Sequence, residues 1–218
     1  MSLDFRPEAI IFDFDGVLVD SMPKHIESYR QIFGKYGVEI DDMEVLLREG
    51  QKARITISEF IDIFGLDLSA DEIDAMVREK RRVYGKIHPR SLVSGAKELL
   101  DRLKRENYKL ALVTGSARQN LERVVSKDEE GVFDAVITAD DVDNGKPHPE
   151  PYLKAVKKLG LSPAKCLVVE NAPLGIESAK AAGIKVAALT TTLPRNRLNQ
   201  ADWIYSNLEN FAEELKLG

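Results

Sequence analysis

The chain has one cysteine, one tryptophan and three histidines in 218 residues, and each scarcity removes a class of explanation. A lone Cys166 permits no internal disulfide, and its place in the apolar run KCLVVEN reads as a buried strand thiol. His25, His88 and His148 are not paired at ligand spacing, so a zinc site is not expected. No apolar run approaches the ~18 residues of a membrane span, and no basic segment followed by an apolar stretch opens the chain. A cytoplasmic protein without membrane attachment is the expectation. Excess positive charge is also missing: 31 Lys plus Arg against 36 Asp plus Glu leave a net charge of −5. That balance gives no broad basic surface for nucleic acid. Repeats and low-complexity tracts are absent.

What is present suits a globular protein, with 44% apolar and 31% charged residues. The length fits one domain carrying a sizeable insertion. Short, nearly all-apolar runs recur at 9–14, 110–113, 135–138, 167–169, 186–189 and 203–205. Such runs read as parallel strands covered on both faces. Between them, helices are signalled by Leu99, Leu100 and Leu103, by Leu121, Val124 and Val125, by Leu153 with Val156, and by Ile176, Ala179 and Ala182. The class is therefore α/β.

Almost a hundred residues separate the first strand from Leu110, too many for an ordinary crossover. Within them Tyr29, Ile32, Phe33 and Tyr36 fall at helical spacing. So do Ile57, Phe60, Ile61 and Phe64, then Ile73, Met76, Val77, Tyr84 and Ile87. An all-helical insert over 20–89 is expected, with 94–106 as the first helix back on the sheet. The acidic stretch 127–130 reads as a solvated helix end.

Chemistry gathers where strands stop. The first strand runs into Asp13-Phe14-Asp15-Gly16, which brings two carboxylates two residues apart to one point before a glycine that permits a sharp turn. The second ends in Thr114-Gly115-Ser116, a turn that either caps the next helix or offers its amides to an anion. Lys146 lies between Gly145 and Pro147, in a loop stiffened by two prolines that bar a helix until about Glu150. Another strand ends in Glu170-Asn171, placing polar oxygen ligands ahead of a helix. In open parallel sheets this edge is where ligands bind.

Four ordered stretches, DFDGVLVDS, LVTGS, GKPHPEPY and VVENAPLGIESAKAAGI, resemble the haloacid dehalogenase superfamily. The likeness is to its phosphatase and β-phosphoglucomutase-like branch with a helical cap, and it spans nearly the whole chain. The resemblance implies a Rossmann-like core over 1–19 and 90–218 and a cap domain over 20–89. It makes Asp13 the nucleophile that forms an aspartyl phosphate, and Asp15 the acid and then the base, a role that needs a raised proton affinity. Thr114, with the amides of Gly115 and Ser116, would hold the phosphoryl oxygens, and Lys146 would offset charge on the nucleophile and the phosphoryl group. Magnesium would be held by the Asp13 carboxylate, the Asp15 backbone carbonyl and Asn171, with Glu170 helping.

Asn171 departs from the family's usual Glu-Asp pair and replaces an anionic ligand with a neutral amide. Asp15 decides against dehalogenation, since a halide leaving group needs no proton. His25 matches a position that often carries histidine in sugar-phosphate members, and the resemblance makes it a candidate substrate contact. Arg48, Gly50, Gln51, Lys52 and Arg54 form a polar turn in the place of the family's specificity loop, where Lys52 or Arg54 would meet a second anionic group. The reading is a monomeric, magnesium-dependent phosphatase of a small phosphorylated metabolite, a sugar phosphate or phosphoglycolate-like acid. A phosphomutase uses the same residues and is the alternative. A non-catalytic binding protein on the same scaffold is the other.

Overall fold

A computed structural model describes residues 5–215. Strand β1 (Ala9–Asp13) is buried at every position. The chain then passes through four helices, α1 (Met22–Gly34), α2 (Asp42–Leu46), α3 (Ala53–Phe64) and α4 (Ala70–Ile87), before α5 (Ala96–Arg105) returns it to the sheet. There follow β2 (Lys109–Val113), α6 (Arg118–Leu121), α7 (Lys127–Glu130), β3 (Ala135–Ile137), α8 (Glu150–Leu159) and β4 (Cys166–Glu170). The fold closes with α9 (Pro173–Ala181), β5 (Lys185–Leu189), β6 (Trp203–Tyr205) and α10 (Leu208–Glu214).

The six strands pair in parallel in the order β3-β2-β1-β4-β5-β6. Alternate residues of each strand face opposite sides of the sheet. Ile10, Phe12, Leu110, Leu112, Leu167 and Val169 pack with Leu99, Leu100 and Leu103 of α5 and Phe211 of α10. Ala9, Ile11, Ala111, Val113 and Val168 pack with Tyr152, Ala155 and Val156 of α8 and Ile176 and Ala179 of α9. Burial on both faces is why these strands carry no polar alternation. Strand order reverses between β1 and β4, which opens a crevice at their C-terminal ends.

Helices α1 to α4 have a core of their own, made by Tyr29, Ile32, Phe33, Ile57, Phe60, Ile61, Met76 and Val77. Phe60 is its centre, with Tyr29 and Phe33 edge-on at 5.8 and 5.6 Å. The Ser69 hydroxyl and Glu72 carboxylate close a reciprocal cap that starts α4.

Several details differ from the periodicity. Tyr36 lies past the end of α1 and is 41% exposed, and Leu153 is 43% exposed on the outer face of α8. Val124 and Val125 are buried but follow the end of α6, because the chain turns there instead of extending the helix. Residues 127–130 form a separate short helix, started by a Ser126–Glu129 capping box, not the end of a longer one. Helix α2 is too short to show a period. Among the described residues no helix is long and apolar enough to cross a membrane.

Candidate active site

The site is built at the β1–β4 crevice. After Asp13 the chain reverses through Gly16, whose φ of 73° is open to glycine, and the Gly16 amide donates to the Val19 carbonyl at 2.8 Å. This tight loop turns the Asp15 carboxylate into a ring of four donors. Ser21 Oγ at 2.6 Å and His25 Nε2 at 3.2 Å donate to Oδ1, and Thr114 Oγ1 at 3.1 Å and Ser116 Oγ at 2.9 Å donate to Oδ2. Burial alone raises the Asp15 carboxyl, but the bonds from His25, Ser21 and Ser116 outweigh it and hold it well below the usual carboxylate range. The sequence reading asked for a raised proton affinity here. This arrangement stabilises the ionised form instead.

Asp13 meets different surroundings. Its Oδ1 accepts from Lys146 Nζ at 2.6 Å, and the same ammonium lies 2.6 Å from Glu170 Oε1. Lys146 is buried, and although burial disfavours its charge, Asp13 and Glu170 hold the ammonium well above its ordinary range. Burial and the nearby Glu170 push the Asp13 carboxyl up to about 8, against the pull of Lys146. Shared with Glu170, this one cation does not keep Asp13 fully ionised at neutral pH.

The Glu170 oxygens are taken by Lys146 and the Tyr152 hydroxyl on Oε1, and by the amides of Asn171 and Ala172 on Oε2.

The helical segment supplies the other wall. His25 of α1 stacks on Tyr84 of α4 at 4.1 Å, and its Nδ1 lies 2.8 Å from Lys80 Nζ. An ammonium only donates, so Nδ1 accepts and Nε2 carries the proton given to Asp15. Burial and the nearby Lys80 lower the His25 pKa, which agrees with a neutral ring.

Between α2 and α3 a turn dips toward the sheet. Glu49 Oε1 accepts from Asn171 Nδ2 at 2.7 Å, and Lys52 Nζ donates to the carbonyls of Val142 at 2.6 Å and Asp143 at 3.1 Å. Gly50, at φ 89°, packs so closely that a Cβ there would lie 2.8 Å from Lys146 Cδ. The side chains of Asp13, Asp15, His25, Glu49, Lys52 and Lys80 all border one cavity of about 240 Å³.

Lys52 and Arg54 line this cavity, but neither is a free cation. Lys52 is bonded to core carbonyls, and Arg54 pairs with Asp74. Among the described residues no group of three or more His, Cys, Asp and Glu side chains is arranged to hold a metal ion. Asn171 Oδ1 is buried and has no hydrogen-bond partner among the described residues.

Residues 10–189 match the family model described as haloacid dehalogenase-like hydrolase. The chain belongs to that family. This haloacid dehalogenase-like hydrolase is 37% identical over 186 residues to a phosphorylated carbohydrates phosphatase of Thermotoga maritima, covering 82% of each chain. It is 34% identical to a validoxylamine A 7'-phosphate phosphatase of Streptomyces hygroscopicus subsp. limoneus, covering 91% of this chain and 92% of that one. A crystal structure of β-phosphoglucomutase from Clostridium difficile superposes with a TM-score of 0.83 at 26% identity, covering 96% and 97%. As a hydrolase of this family it is an enzyme of the phosphoric monoester class.

Two residues of the site were missed by sequence reasoning. Lys80 stands four residues after Met76 and four before Tyr84, so a charged residue on that apolar stripe was a visible signal. Glu49 lies inside the polar turn already singled out, but nothing local separates it from a solvated carboxylate.

Proposed function

We propose that this enzyme is a magnesium-dependent phosphatase of a small phosphorylated metabolite, a sugar phosphate or a phosphoglycolate-like acid. The observation that carries it is the pair of carboxylates after β1, Asp13 against a single buried ammonium and Asp15 inside a ring of four donors, bordering one cavity. Two carboxylates in contrasting environments serve as nucleophile and proton carrier.

Asp13 attacks phosphorus, the bond from phosphorus to the ester oxygen breaks, and that oxygen leaves with the proton of Asp15. Water then gives its proton to Asp15 as it attacks the aspartyl phosphate, releasing inorganic phosphate and restoring Asp13. Asp15, held ionised by its four donors, is in the form that accepts this proton. For the first step, a phosphoryl dianion drawing the Thr114 and Ser116 hydroxyls to itself raises the Asp15 pKa. Lys146, anchored from behind by Glu170, offsets charge on Asp13 and the phosphoryl oxygens.

The Asp13 carboxylate, the Asp15 backbone carbonyl and the orphaned Asn171 Oδ1 suit a hard cation, which supplies the positive charge that Lys146 alone lacks. Glu170 is assigned to Lys146 and not to the metal. The division we propose is a core over 1–19 and 90–218 with a cap over 20–89, in a monomeric cytoplasmic enzyme without nucleic-acid partners.

Phosphate release from a panel of sugar, nucleotide and short-acid phosphates, with and without magnesium, tests the reading. Release from none of them overturns it. The likeness to a β-phosphoglucomutase supports a second reading, in which the phosphoryl group returns to another hydroxyl of the same sugar. An isomerised ester without free phosphate selects it.

A further inference from the structure

We infer that Glu49, carried on the α2–α3 turn, is a ligand of the same cation, so that metal binding and docking of the helical segment are one linked event. The inference rests on the metal-dependent reading above.

Glu49 is 5% exposed and makes no salt bridge to any described cation. Among the described residues its hydrogen-bond partners are neutral: Asn171 Nδ2 at 2.7 Å and the Thr192 hydroxyl at 3.4 Å. Asp13 and Asp15 border the same cavity as Glu49, and the Lys146 ammonium is taken up by Asp13 and Glu170. A buried carboxylate that shares a cavity with two others and has no ion pair of its own is unfavourable unless a cation joins it.

The amide of Asn171 gives an independent sign. Its Nδ2 is bound to two acceptors, Glu49 Oε1 and Thr192 Oγ1, which fixes the amide orientation and leaves Oδ1 as the buried, unpartnered atom. Both groups converge on Gly16, the residue after Asp15. A Cβ on Gly16 would lie 2.1 Å from Asn171 Nδ2 and 2.9 Å from Glu49 Oε1. The negative charge that Asn171 lacks is thus delivered from the opposite side of the cavity. Lys52, bonded to Val142 and Asp143, holds the turn that delivers it. Linkage is reciprocal, so the cation favours the docked turn as much as the docked turn favours the cation.

Magnesium binding measured by calorimetry, with the melting temperature of metal-free and magnesium-loaded protein, tests this without turnover. In Glu49→Gln the side chain still accepts from Asn171 but loses its charge. The dissociation constant is expected to rise about tenfold or more and the magnesium-induced rise in Tm to shrink, while the metal-free Tm holds or increases. Asn171→Asp added to Glu49→Gln restores the anion count and is expected to bring the constant back toward wild type. An unchanged constant in Glu49→Gln, or no recovery in the double variant, overturns the inference. If Glu49→Gln does not fold, Glu49→Ala replaces it with the same two outcomes. Wild-type protein that takes up no magnesium overturns the metal-dependent reading itself, a result distinct from uptake that ignores Glu49.

Discussion

Lys80 Nζ lies 2.8 Å from His25 Nδ1 and fixes which imidazole nitrogen faces Asp15. Burial and the nearby Arg81 lower the Lys80 pKa to about 8 from its ordinary 10.5, although Asp15 pulls it the other way. As pH rises through about 8 the ammonium loses its proton, and the tautomer that donates to Asp15 is no longer enforced. kcat/KM is therefore expected to fall above that pH. Stability moves in the opposite direction, because the unfolded chain holds the proton up to about 10.5 while the folded one has released it. Between these two values Tm is expected to rise as activity falls. Lys80→Met is expected to lose about tenfold or more in kcat/KM and to lack this alkaline limb. A wild-type profile flat from pH 7.5 to 9.5, or a limb that survives in Lys80→Met, excludes Lys80 as the group that positions His25.

Asp13→Asn removes the attacking oxygen. Turnover is expected to fall by on the order of 10⁴ or more, and no phosphoenzyme should be trapped by acid quench and mass spectrometry. A variant that keeps a tenth of wild-type activity excludes Asp13 as nucleophile.

Asp15→Asn should discriminate between leaving groups. Single-turnover phosphorylation by a sugar phosphate is expected to slow on the order of 10² to 10⁴-fold, while an aryl phosphate, whose phenolate leaves without protonation, is affected far less. Equal losses on both substrates would remove Asp15 as the acid.

Gly50→Ala tests the contact between the α2–α3 turn and Lys146. A Cβ at a φ of 89°, with Lys146 Cδ 2.8 Å away, forces either the turn or the lysine to move. The backbone conformation alone costs about 1 to 2 kcal/mol. Activity is expected to drop roughly 100-fold, since small misplacements at a reacting centre have effects of that size, with only a modest loss in Tm. Wild-type kcat/KM in this variant would show that the close contact does not matter to Lys146.

The sheet was legible because both of its faces are covered, Ile10 and Phe12 packing on one side and Ile11 and Val168 on the other, and an apolar run bounded by polar turns records that burial locally. Asp13 and Asp15 were legible for a related reason, as charges placed where such a run stops. Glu49 and Lys80 were not read as functional. Their significance comes from partners 122 and 55 residues away in sequence, on elements that meet only after folding. Lys52 and Arg54 misled in the opposite way. Each looks like a cation awaiting an anion, yet Lys52 is engaged by two carbonyls and Arg54 by Asp74. Composition does not tell a committed charge from an available one.

The pairing of Glu49 with Asn171 also constrains how this enzyme can diverge. A carboxylate on one partner and an amide on the other satisfy a single hydrogen bond with a single negative charge. Changing position 171 to aspartate alone sets two anions against each other in a buried space, and changing Glu49 alone strands the amide. Substitutions at the two sites should therefore be inherited together, with aspartate at 171 accompanied by a neutral side chain at 49. A helical segment transplanted from a relative with the other combination would bring a mismatched partner to Asn171, so the four helices are not freely exchangeable between such proteins.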